Sequence, residues 1–286
     1  MKTIFRLALF FPFRLLLYIA NSYSKILTYI DPNGSERYWE ELTQKNIDSK
    51  INSTLRYKNH KKILGLNKNL VKKLNYFTPN KITSHRVYTL LTKEKETINW
   101  LNKNGSKETY FFDVGANIAL YSVYYSKKFR AKSICFEPNF LNNNLIQKNI
   151  SINKLEKYIT IIPNPLFSKN KFGIFSQNSG LAGMAESTFN QKNFKNNYNT
   201  FSMSLDNLLN IMKLNKKSCL LKIDVDGNEY EVIKGSQKFL KKYCKSALIE
   251  VNVNSKSKIN QLMKSLGFKK KFEVNREFTS DEFWFK

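Results

Sequence analysis

Residues 108–128 read ETYFFDVGANIALYSVYYSKK. The stretch opens on aromatic residues and threonine, which favour a strand. It closes on apolar residues at helical spacing. Between them stands the turn Asp113-Val114-Gly115-Ala116-Asn117. In open parallel sheets, ligands bind beyond the carboxyl ends of the strands, where such turns lie. A dinucleotide fingerprint needs a second glycine two residues after the first, so that backbone can approach a pyrophosphate. Here that place is Asn117, and its side chain would crowd a pyrophosphate. There is no G-x-x-x-x-G-K-[ST] phosphate loop either. The ligand is therefore expected to lack a pyrophosphate.

The next strand ends in ICFEP and brings Glu137 to its carboxyl end, 24 residues after Asp113. A carboxylate there can accept hydrogen bonds from a ribose diol. A ribose without a pyrophosphate points to S-adenosylmethionine, with Gly115 permitting close backbone approach and Asn117 reaching the amino-acid end. A third cluster, LLKIDVDGNEYEVIKG at 220–235, delivers Asp224 to the same sheet edge. A carboxylate above the sheet can take a proton from a hydroxyl nucleophile and can favour a cationic methyl donor electrostatically. Asp226 and Glu229 follow at the spacing of a helix N-cap and its N3 partner, the capping-box arrangement. Glu250, at the end of the next strand, is the second candidate base.

Around these clusters the pattern is regular. Strands are expected at 109–114, 132–136, 158–162, near 171–176, and at 219–224 and 246–252. Helices are expected at 118–128, 139–152, from Ser204, across 228–242 and at 257–266. Strands 269–274 and 281–286 close the chain as a hairpin. Strands alternating with helices imply a parallel sheet covered on both faces, with the hairpin as an antiparallel edge. The fold class is α/β, a Rossmann-like seven-strand sheet behind a mainly helical N-terminal extension. The boundary is set at 100/101. Residues 176–202, rich in Asn, Ser and Gly, read as a long functional loop. Residues 77–105 read as a β-like run and then a helix ending at Gly105.

The 286 residues carry a net charge of +26 and are 42% hydrophobic, enough for a sizeable core. The basic excess is spread along the chain with no dense tract, so it reads as composition bias with attraction to anionic surfaces as a consequence. Cys135, Cys219 and Cys244 form no C-x-x-C pair, which disfavours a disulfide framework or a cysteine zinc site. His60 and His85 form no metal-binding pattern, and no metal is expected. Residues 4–20, IFRLALFFPFRLLLYIA, are interrupted by Arg6, Pro12 and Arg14. A spanning helix needs about 20 apolar residues, and no cleavage site follows the segment. Two readings stand: an interfacial membrane helix, or a helix packed on the domain. Residues 31–42 read as a turn and a helix capped by Ser35, and 45–75 as a Lys/Asn-rich helical arm.

The segments FFDVGANIALYS, CFEPNFLNNNLIQKNI, IIPNPLFSKN, SLDNLL, LKIDVDGNEYEVIKG and LIEVN together resemble the FkbM family of class I S-adenosylmethionine-dependent methyltransferases, over about residues 108–275. The resemblance implies a seven-strand sheet and methyl transfer to a hydroxyl, often on a sugar, glycan or secondary metabolite. It implies cofactor contacts at Asp113, Gly115, Asn117, Glu137, Asn164 and Asp224, with Asp224 facing the transferred methyl. Two positions depart from the family pattern. Ala119 replaces a usual glycine, and Asn252 stands where the last core strand often carries histidine. The expected setting is cytoplasmic, peripheral on the inner membrane face if residues 4–20 are interfacial. Two other readings are set against this one. A nucleic-acid methyltransferase of the amino-methylating kind would show [N/D]-P-P-[Y/F], and here DVDG stands there. A non-catalytic accessory protein could keep the fold, but would have no need of Gly115, Glu137 and Asp224.

Overall fold

The computed structural model describes residues 74–178, 180–185, 187–190, 194, 196–212, 214 and 218–286. The expectations for 4–20, for 31–42 and for most of 45–75 fall outside these residues. Among the described residues, no helix is long and apolar enough to cross a membrane.

The first described elements are helices α1 (Lys81–Thr89) and α2 (Lys95–Asn104). Then come β1 (Tyr110–Val114), α3 (Leu120–Phe129), β2 (Ser133–Phe136), α4 (Phe140–Asn153) and β3 (Ile159–Ile162). They are followed by β4 (Lys171–Gln177), β5 (Ser187–Phe189), β6 (Asn196–Ser202), α5 (Leu205–Met212) and β7 (Cys219–Ile223). The chain ends with α6 (Glu229–Lys234), α7 (Gln237–Lys242), β8 (Cys244–Asn252), a short 3-10 turn, α8 (Lys256–Ser265), β9 (Lys269–Asn275) and β10 (Thr279–Phe285). Seven strands form one sheet in the order β3-β2-β1-β7-β8-β10-β9. The first five in that order are parallel, and β10 and β9 add the antiparallel edge. The order reverses between β1 and β7, which opens a crevice above their carboxyl ends.

Strand register sorts the residues between two faces. Phe112, Val114, Leu221, Ile223, Ala247, Ile249 and Val251 belong to the main apolar core. The opposite face carries a polar line. Asp113 pairs with Lys222, and Asp281 with Glu250, and residues two apart on one strand share a face. Asp113, Lys222, Asp224, Glu250 and Asp281 therefore point the same way. Helix α2 packs on this face. Its buried Trp100 donates its Nε1 proton to Ser246 Oγ at 2.8 Å and meets Phe111 edge-on at 6.3 Å.

Four expectations are corrected. Residues 81–89 are helical rather than β-like. Thr83 N donates to Asn80 Oδ1 at 2.9 Å and Asn80 N donates to Thr83 Oγ1 at 3.3 Å, a reciprocal cap that starts a helix despite the β-branched residues within it. Residues 176–202 are not one long loop. The strands β5 and β6 flank β4 in a three-stranded antiparallel sheet, held by aromatic pairs such as Phe175 with Tyr198 at 5.4 Å. The expected helix across 228–242 is two helices. A Cβ on Gly235 would lie 2.1 Å from the Phe167 carbonyl, and Asp206 of α5 caps α7 by accepting from the Lys238 and Phe239 amides. Nor do Asp226 and Glu229 form a capping box. Asn228 is the N-cap of α6 without a side-chain cap bond, and Glu229 Oε1 instead accepts from Gly227 N at 2.6 Å.

Candidate active site

The turn after β1 is built from left-handed residues. Gly115 has φ +79°, Asn117 +50° and Ala119 +58°. A Cβ on Gly115 would lie 1.8 Å from the Asp224 carbonyl oxygen, so the β1 and β7 turns touch only because residue 115 is glycine. Asparagine tolerates the left-handed region, whereas alanine pays about 1–2 kcal/mol for it. Ala119, buried and left-handed, is thus a strained step into α3.

Glu137 ties this turn to the end of β2. Its Oε2 accepts from Asn117 N at 2.8 Å and its Oε1 from Asn139 N at 2.9 Å. Burial pushes its carboxyl up to about 7, against the lowering effect of those two amides. Asn139 then caps α4 by accepting from Leu141 N and Asn142 N.

At the carboxyl end of β7, Lys222 Nζ lies 2.6 Å from Asp224 Oδ2. Lys222 is buried and sits over the Tyr121 ring at 5.2 Å, while Asp224 keeps about 34% of its side chain open to the cleft. Burial alone would raise the Asp224 carboxyl. The Lys222 ammonium and a hydrogen bond from Glu250 outweigh it and hold the group well below the usual carboxylate range. Glu250 moves the other way, raised first by the Asp224 charge, then by the hydrogen bond to Asp224, then by burial. Thr279 Oγ1 donates to Glu250 Oε1 at 2.9 Å. Asp113 lies deeper, accepting from Ser122 Oγ at 2.7 Å. Burial raises its carboxyl, and the Lys222 charge opposes the rise.

These groups line one cleft of about 210 Å³, which brings together Gly115, Asn117, Glu137, Asn164, Asp224 and Glu250. Asp113 is not on its lining. Asn164 is, with its Nδ2 donating to Phe201 O at 3.0 Å. A strap at 182–184 crosses beside it. Asn80 Nδ2 donates to Ala182 O, Arg86 Nε to Gly183 O and Asn117 Nδ2 to Met184 O, and Gly183 N donates to Asn142 Oδ1. Arg86, Glu94, Asn142 and Met184 are lining residues that sequence reasoning missed. No local signal marks them, because they arrive from α1, the α1–α2 connection, α4 and the strap. Lys222 was legible: two residues before Asp224 on a strand, it had to share that residue's face.

The lining fits a nucleoside-bearing ligand with an amino-acid end. Asn117 Oδ1 is buried and meets no donor among the described residues, Glu137 is a buried carboxylate, and Gly115 leaves the turn without a Cβ. Among the described residues, no group of three or more His, Cys, Asp or Glu could hold a metal ion.

The family model for the methyltransferase FkbM domain matches residues 113–270. A methyltransferase FkbM from Methylobacillus flagellatus KT superposes with a TM-score of 0.44 at 11% identity, over 79% of this chain and 58% of its own. A precorrin-6y C5,15-methyltransferase from Geobacter metallireducens GS-15 gives a TM-score of 0.42 at 12% identity, over 68% of this chain and 88% of its own. TrmK of M. capricolum, solved with S-adenosyl-homocysteine, gives 0.41 at 12% identity, over 66% of each chain. No curated protein sequence matches the chain.

Proposed function

The chain belongs to the FkbM methyltransferase family, and from that membership we propose that it methylates a hydroxyl oxygen of a sugar, glycan or secondary metabolite. Its cofactor, S-adenosylmethionine, supplies an activated methyl group when bound. Glu137 is assigned to the ribose hydroxyls, Gly115 and Asn117 to the backbone approach and the amino-acid end, and Asn164 to the cleft wall. Asp113 is assigned a supporting role, holding Ser122 at the start of α3.

The observation that carries the hydroxyl acceptor is the Asp224–Glu250 pair beside Lys222. An ionised carboxylate in a half-open cleft accepts a hydrogen bond from a hydroxyl and orients its oxygen for in-line attack. Positioning carries most of the rate, since the donor is already activated. Asp224 is assigned this role, and Glu250, whose carboxyl is raised by the Asp224 charge, gates how readily the pair accepts a proton. The test compares glycans and small metabolites of a strain lacking the protein with the same strain complemented by the unmutated or the Asp224→Asn chain. One O-linked methyl increment should vanish in the deletion and return only with the unmutated chain. Loss of a methyl from a nucleic-acid base nitrogen instead would sink the hydroxyl reading.

A further inference from the structure

A second cavity of about 350 Å³ lies against the first and shares Arg86, Lys93, Glu94, Gly115, Asn117 and Asp224 with it. Its far wall is one side of α1, where Lys81, Ile82, His85, Arg86 and Thr89 line the space. Those positions recur at three- and four-residue spacing, so a single helix face supplies them. Ile82, Leu90, Ala116 and Leu120 form its apolar part. The acidic groups on the lining are already engaged: Glu94 accepts from the Tyr121 hydroxyl, and Asp224 is paired with Lys222. Lys81, His85 and Lys93 are exposed, and no hydrogen bond or ion pair with the described residues holds their side chains. The cavity thus has a cationic wall, an apolar floor, and the Asp224 carboxylate at its junction with the cofactor cleft.

We propose that this cavity is the acceptor subsite and that the acceptor carries a phosphate group, held by Lys81, His85 and Lys93 while its hydroxyl lies at Asp224. Two lysine ammonium groups and an imidazole suit a group with about two negative charges and three acceptor oxygens better than a planar carboxylate. The chain's net charge of +26 draws such an anion toward the site. Naming the occupant an acceptor rests on the methyltransferase reading; the anion site itself does not.

The test uses the full chain and three probes measured by calorimetry: glucose 6-phosphate, glucose, and short-chain hexanoyl lysophosphatidic acid, which keeps one free hydroxyl. At least one phosphate compound should bind, glucose should not, and which one binds distinguishes a soluble ester from a lipid phosphate. The double variant Lys81→Glu/His85→Glu alters exposed residues that line only this cavity, and an acidic residue at the first position of α1 favours the helix. It should lose about tenfold or more in phosphate affinity, the loss expected when an ammonium and an imidazole contact are both replaced by repelling carboxylates, and bind S-adenosylmethionine as before. Unchanged phosphate affinity in the variant, equal binding of glucose, or no binding of either phosphate compound would overturn the proposal. Failure of the unmutated chain to bind S-adenosylmethionine counts against the cofactor reading instead. The anion is measured without cofactor, so the two failures are read separately.

Discussion

Asp224 and Glu250 share a sheet face and a hydrogen bond, and their carboxyls are driven in opposite directions, Asp224 downward by Lys222 and Glu250 upward by the Asp224 charge. The arrangement makes Asp224 a permanent anion but a weak base, because Lys222 stabilises its charge. Raising the pH removes the Glu250 proton and leaves two carboxylates facing the acceptor, a better proton sink. Turnover is therefore expected to climb through the raised Glu250 titration, and Glu250→Gln should flatten that alkaline limb. Asp224→Asn keeps the shape and removes the charge, and should cut turnover by about 10²–10⁴-fold, the range for loss of a general base. Near-normal turnover in Asp224→Asn, or an unchanged limb in Glu250→Gln, would move the role away from this pair. Asn252, expected to stand where some relatives carry histidine, is engaged locally: its Oδ1 accepts from Asn254 N at 3.0 Å and caps the 3-10 turn.

The strap at 182–184 runs in close contact with α1. Gly183 has φ +83°, and a Cβ there would lie 2.5 Å from Thr83 Cγ2 of α1. Through Met184 O the strap also receives the Asn117 side chain of the turn after β1. Gly183→Ala should cost about 1–2 kcal/mol in the left-handed conformation and lift the strap from α1 while leaving the seven-strand sheet intact. The expected reading is a several-fold loss of S-adenosylmethionine affinity in calorimetry, partly restored by Thr83→Ser, which removes the clashing methyl. Affinity unchanged in the single variant would mean that the strap does not brace the turn.

Across the whole molecule, raised carboxyls shape how stability responds to pH, and Glu137 and Glu229 act closest to neutrality. Glu137 and Glu229 are each pushed up to about 7, mainly by burial. The folded chain then holds protons that the unfolded chain releases. A raised folded pKa stabilises fully below the unfolded value, near 4.5, and that contribution is lost as pH rises through about 7. Asp224, depressed by Lys222, has the opposite sign and is lost only in strong acid. At high ionic strength, which screens the basic surface, Tm should therefore fall between about pH 5 and pH 7.5, and Glu137→Gln should reduce that slope. Hydroxyls donating to Glu137 favour its ionised form, so S-adenosylmethionine binding near neutral pH should release a fraction of a proton, seen as a buffer-dependent binding enthalpy. A flat Tm profile with no proton release would overturn the buried-acid account. Much of this architecture was legible in the residues alone. Period and propensity carried the strands of the seven-strand sheet and the helices beside it, apart from the break within 228–242, and the turn chemistry marked Gly115. Strand ends placed Glu137, Asp224 and Glu250 on one rim, because these features depend on neighbours a few residues apart. The α1 helix face, the strap, the three-stranded sheet hidden in an asparagine-rich segment, and the opposed shifts of Asp224 and Glu250 were not legible. Each depends on contacts between segments far apart in the chain, and burial and charge act through distance in space, which folding alone brings about.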